Sequence, residues 1–232
     1  MGAFLTADWR NVLAATYAVE PARLQPYLPP ECEIDRLGGA ARLSLVAFEF
    51  EHTRVRGLAI PGHTAFPEIN LRFYVRHGGE RGVVFVREMV PRRAIAQLAR
   101  RLYNEPYARV PMCVATTRED QGLRVTHRFG ERFSSSLSAL ARVSAAALPS
   151  PDSDEFWLTH HHLGLGKTRR GRLQKYQVEH PLWALAPVTE LDVSIDFERV
   201  YGSEWAWLSG QEPTHRTFAL GSAISVSPAS RH

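Results

Sequence analysis

From Ala41 to Phe50 the chain is apolar on both alternating faces, with Leu43, Leu45 and Ala47 on one and Val46, Phe48 and Phe50 on the other. A strand buried on both sides belongs in the middle of a core or in a closed barrel with a filled interior. The 66–76 run differs. Ile69, Leu71, Phe73 and Val75 fall on one face and Glu68, Asn70, Arg72 and Tyr74 on the other, because strand side chains alternate. With 82–90 it flanks His77-Gly78-Gly79-Glu80-Arg81, a Gly-containing five-residue loop that predicts a hairpin. Further strands are predicted at 9–19, 107–117, 122–129, 132–143, 172–179, 188–200 and 214–227.

Helical signals are few. Pro21 opens a turn running through Leu24 and Leu28 to Pro29-Pro30, since proline suits a first helical position. Pro91 starts the clearest helix, whose Ile95, Leu98, Ala99 and Leu102 form a 3.6-period stripe stopped by Pro106. Asp152 and Glu155 are spaced as a capping-box variant ahead of a short helix at 156–163. Gly38-Gly39 reads as a turn, 144–153 as a surface loop and 167–172 as a basic loop. No repeat of fixed period is present. Many strands and few helices predict an α+β chain, mainly antiparallel β, folded as one domain over 1–232.

Composition adds limits. The 232 residues are 44% hydrophobic and 22% charged, which excludes disordered, collagenous and coiled-coil classes. Two cysteines, Cys32 and Cys113, exclude a disulfide scaffold and predict buried thiols in a reducing compartment. No apolar run reaches the ~18–20 residues of a spanning helix, and Met1 to Asp8 lacks the pattern of a signal peptide. A cytoplasmic protein off the membrane is expected. The net charge of +4 is carried by scattered arginines, and of 28 basic residues only Lys167 and Lys175 are lysines. Scattered charge gives no focused patch, so nucleic acid is an unfavoured partner. The competing class is nonetheless defined: nucleic-acid or anionic-surface binding through Arg92, Arg93, Arg100, Arg101 and the 167–172 loop.

Candidate chemistry starts with the 68/70/72 row. Alone, a polar strand face is the wet side of a sheet. If the sheet curls shut, the same row becomes a pocket wall, and charges buried there require partners or a ligand. Tyr103-Asn104-Glu105-Pro106-Tyr107 lies where helix gives way to strand, a position that suits a barrel mouth. His180 and Trp183 flank the bend at Pro181, and His180 could act as acid or base near neutral pH. His160-His161-His162 is a poor metal motif, because consecutive helical residues diverge by about 100°. Nucleophile elbow, P-loop, C-x-x-C and dinucleotide fingerprints are absent from the sequence. Neither a metal nor a cofactor is expected.

Several stretches together resemble a bacterial family of unknown function, the YqjF-like proteins: YAVEPARLQPYLP at 17–29, residues 44–50, IPGHTAFPEINLRFYV at 60–75, ARRLYNEPY at 99–107 and VEHPLWAL at 178–185. That family looks like a branch of the acetoacetate decarboxylase-like superfamily. The resemblance implies an antiparallel barrel or cone around a central pocket, with two or three packed helices, in a homo-oligomer. It places Glu68 at an acidic pocket position. LYNEPYARVP at 102–111 lies where the decarboxylases carry their Schiff-base lysine, which is absent here, and a pocket arginine of theirs corresponds to Ala18. Imine chemistry needs a primary amine of depressed pKa, which arginine cannot replace. Lys167 reads as solvated, and only Lys175 could have migrated to the pocket.

The expectation is therefore a pocket for a small anionic or oxo-acid-like molecule without imine chemistry. Arg72 would hold a carboxylate, Glu68 and His180 would serve as acid/base groups, and Asn70, Tyr103, Asn104, Tyr107 and Trp183 would shape the wall. Whether this pocket only binds or carries a lyase, hydratase or isomerase step is left open by the sequence.

Overall fold

The computed structural model describes residues 3–97 and 104–231. Its strands, in chain order, are β1 (Leu5–Val19), β2 (Glu33–Ile34), β3 (Arg36–Leu37), β4 (Ala40–Val55), β5 (Phe66–His77), β6 (Glu80–Val90), β7 (Tyr107–Arg109) and β8 (Met112–Glu119). They continue with β9 (Gly122–Phe129), β10 (Ser135–Ala141), β11 (Leu163–Lys167), β12 (Leu173–Glu179), β13 (Val188–Ser194), β14 (His215–Val226) and β15 (Ser230–Arg231). Short helices cover Pro21–Leu24, Asp154–Thr159 and Phe197–Tyr201, and residues 93–97 are helical. Leu98, Ala99, Arg100, Arg101, Leu102 and Tyr103 lie outside the described residues. Among the described residues, no helix is long and apolar enough to cross a membrane.

The large sheet closes on itself. Strand β5 pairs with β4 and β6, β4 with β1, β1 with β14, β14 with β12, β12 with β11, and β11 returns to β6. Every pairing in this ring is antiparallel except the last, a parallel bridge between Gly164 and Val83. Glycine makes that seam possible. A Cβ on Gly82 would stand 2.7 Å from the Leu163 carbonyl oxygen, too close for β11 to approach β6. The result is a mainly antiparallel cone, and a second sheet of order β13-β10-β9-β8 packs against it.

The two-faced pattern of β4 and β5 follows from this geometry. Outward-facing Leu43, Leu45, Ile69, Leu71 and Phe73 are fully buried against Val125, Phe129 and Leu137 of the second sheet. Inward-facing Val46, Phe48 and Phe50 form a separate cluster inside the cone with Phe66, Trp183 and Ile224. Phe73→Ala removes a ring from the first core and should cost about 3–5 kcal/mol in urea unfolding.

Several boundaries differ from the sequence expectation. The hairpin loop shrinks to Gly78-Gly79, whose φ of 57° and 85° give the left-handed pair of a type I′ turn matched to strand twist. The 107–117 strand is two strands in different sheets, with Pro111 between them unable to donate to either ladder. The 188–200 strand stops at Ser194, because Asp196 caps a helix by accepting from the Arg199 N–H at 3.0 Å. The 156–163 helix runs instead over Asp154–Thr159. Its cap is Ser153, whose Oγ accepts from the Phe156 N–H at 3.2 Å, rather than an Asp152–Glu155 box. Ser153→Ala should cost about 1 kcal/mol in the same assay. Cys32 is buried as expected, but Cys113 is exposed, since alternation along β8 turns Met112 and Val114 inward instead.

Candidate functional site

The polar row of β5 faces the interior of the cone. Glu68 is 3% exposed and Asn70 2%, while Arg72 is half-buried beside them. The Glu68 carboxylate accepts from Asn70 Nδ2 at 3.1 Å and from the Tyr107 hydroxyl at 3.1 Å. Register brings the other partners in. Glu88 of β6 stands opposite both Asn70 of β5 and Tyr107 of β7. Glu105, just before β7, accepts a short hydrogen bond from the Tyr176 hydroxyl of β12. Tyr176 reaches it because its ring lies over Gly164 on the neighbouring strand, where a Cβ would come within 2.2 Å of Cζ.

Three glutamates thus share one floor, Glu68 and Glu88 buried and Glu105 partly so, and loss of water sets their protonation. Desolvation pushes the Glu68 carboxyl up to about 7, partly offset by the hydrogen bonds from Asn70 and Tyr107 and by the Arg72 charge. It pushes Glu105 to about 7 as well, against the hydrogen bonds from Tyr176 and Glu88. Glu88 is driven well above the carboxylate range by burial and by the charges of Glu105 and Glu68. At neutral pH Glu88 is therefore the neutral acid that donates to Glu105. Among the described residues, Asn70 Oδ1, Glu88 Oε2 and Arg72 Nε are buried without a hydrogen-bond partner. Polar atoms left unpaired in this way cost stability unless something else satisfies them.

The floor closes one end of a cavity of about 120 Å³, whose other end is apolar. Neither lysine is among its described lining residues. Lys167 Nζ donates to the Pro26 carbonyl at the surface. Lys175 alternates with Tyr176 and so faces away from the cavity.

Of the residues singled out from sequence, Glu68, Asn70, Arg72 and Tyr107 meet in this cavity. His180 and Trp183 stack on each other at 4.2 Å behind Trp9, outside the lining; Trp183 shares with Arg72 a smaller adjoining space. Asn104 turns away to donate to the Lys167 carbonyl at 2.6 Å. Tyr103 lies outside the described residues. Sequence reasoning missed Glu88 and Tyr176, and reached Glu105 only as part of the 103–107 stretch, with no role of its own. The signal for Glu88 was a lone carboxylate inside the apolar run 83–90. The consecutive histidines diverge: His161 is buried beside Tyr74, while His160 and His162 face each other. Among the described residues, no group of three or more His, Cys, Asp or Glu is arranged to hold a metal ion.

Residues 6–223 match the DUF2071 family, described as an uncharacterized conserved protein. The chain belongs to this family. A relative, the uncharacterized protein YqjF of Bacillus subtilis strain 168, is 30% identical over 189 residues, covering 81% of this chain and 77% of its own. Solved structures share the fold of this chain. An acetoacetate decarboxylase-like enzyme from Sphingomonas wittichii RW1 superposes with a TM-score of 0.67 at 14% identity, covering 100% of this chain and 94% of that one. The enduracididine biosynthesis enzyme MppR complexed with pyruvate gives 0.68 at 12%, covering 100% and 91%. Acetoacetate decarboxylase from Legionella pneumophila gives 0.67 at 12%, covering 100% and 87%.

Proposed function

We propose that the cavity binds a small oxo acid and moves a proton on it through carboxyl groups, with no imine step. The observation that carries this reading is the Glu68–Glu88–Glu105 floor beside the unpaired Arg72 Nε. Arg72 holds the ligand carboxylate by charge-assisted hydrogen bonds. Glu68, ionised in part at neutral pH, takes a proton from the carbon next to the ligand carbonyl. Glu88, the protonated member of the Glu88–Glu105 pair, turns its proton to the oxygen on which charge develops. Tyr107 and Tyr176 hold Glu68 and Glu105 in place. That MppR has been solved with pyruvate in the same fold supports the ligand class.

The test is proton NMR of pyruvate in deuterated buffer with the protein present. Deuterium should enter the methyl group at a rate proportional to protein concentration. The rate should climb as pH rises through about 7, because Glu68 must be ionised to accept the proton. Absence of both binding and exchange would overturn the proposal.

A further inference from the structure

The cavity is divided along its length, and the division names the shape of its ligand. Alternation and cross-strand register fix the order of its levels. At the outer end, Leu5 pairs with both Val55 and Val226, and Val226 pairs with Val178, so aliphatic side chains from β1, β4, β14 and β12 meet at one height. The next level is aromatic. Trp9 pairs with Phe50 and Phe50 with Phe66. These rings form a continuous collar with Phe48, with centroids 4.9 Å apart for Trp9–Phe48, 5.2 Å for Phe48–Phe50 and 4.8 Å for Phe50–Phe66. Glu68 begins the polar floor two residues along β5 from Phe66, and Asn70 and Glu88 lie opposite each other beyond it. At ~3.3 Å per residue, Phe66 to Asn70 spans about 13 Å.

A ligand whose head group sits among Glu68, Asn70 and Arg72 must therefore run its remaining atoms through the ring collar. Pyruvate alone would fill the floor and leave the collar facing water. We infer that the ligand is an oxo acid carrying an unbranched aliphatic tail of several carbons, with its polar head on the glutamate floor and its tail between Trp9, Phe50 and Phe66. This rests on the oxo-acid reading above and adds the part of the molecule that the reading leaves blank.

Calorimetric titration of the intact protein with pyruvate, 2-oxobutyrate, 2-oxovalerate and 2-oxohexanoate tests it. Each added methylene should tighten binding about fourfold, the usual gain for burying one CH₂. 2-Oxohexanoate should then bind at least tenfold more tightly than pyruvate. Affinity that is flat along the series, or highest for pyruvate, overturns the tail inference and leaves the oxo-acid reading standing. No binding by any of the four overturns that reading, and the tail inference with it.

Discussion

Glu68→Gln is expected to slow ligand proton exchange at least 100-fold, the lower end of what a positioned general base supplies, while making the empty protein more stable above neutral pH. The two effects share a cause. In the folded protein the Glu68 carboxyl titrates at about 7, raised from 4.5 chiefly by burial. Between those values the folded chain holds a proton that the unfolded chain has lost. Stability from this group is therefore fully present below 4.5 and falls as pH rises through 7. Glutamine carries no charge and keeps an oxygen for the Tyr107 hydroxyl, so the loss disappears. The gain at pH 8 is at most about 3 kcal/mol. Thermal melts of both proteins at pH 4.5 and pH 8 check it: near-equal midpoints at the lower pH and a higher midpoint for the variant at the upper. A variant less stable than the natural protein at pH 8 would show that the ionised carboxylate is a structural asset.

Gly164→Ala is expected to dismantle the floor from the opposite wall. A Cβ at this position would overlap the Tyr176 ring at 2.2 Å from Cζ. The ring must leave, and Glu105 loses its hydroxyl donor. Overpacking of this kind costs about 1–3 kcal/mol, and oxo-acid binding should vanish because Glu105 and its partner Glu88 lose their fixed geometry. Gly166 on the same strand provides the control. Nothing lies within 4 Å of a Cβ added there, so Gly166→Ala should stay within about 0.5 kcal/mol of the natural protein and bind ligand normally. Equal behaviour of the two variants in melts and titrations would contradict the packing argument.

The contrast between these glycines marks how far the sequence could be read. Alternation along β5 put Glu68, Asn70 and Arg72 on one face, but alone it left that face as the wet side of a sheet; a neighbouring strand apolar on both faces and the family resemblance favoured the inward reading. Tyr107 was reached separately, from the junction of helix and strand. Glu88, Glu105 and Tyr176 were not legible as site residues because their roles depend on pairing register. Nothing local in the chain states that Glu88 stands opposite Asn70, or that Gly164 leaves room for Tyr176. His180 and Trp183 were drawn in by their chemistry, yet their stacking fills space behind Trp9 rather than facing the cavity. The helix at Phe197–Tyr201 escaped notice because its apolar residues continue the run of the preceding strand. Its start is set by a single capping carboxylate, Asp196.

The scarcity of lysine makes a direct test of carboxyl-based chemistry simple. Lys167→Arg combined with Lys175→Arg removes every side-chain amine while keeping the charge. Deuterium incorporation into 2-oxohexanoate should proceed in this double variant at the rate of the natural protein, with no mass added to either protein by borohydride. Loss of exchange in the lysine-free chain, or a borohydride adduct at Lys175 in the natural one, would contradict the account.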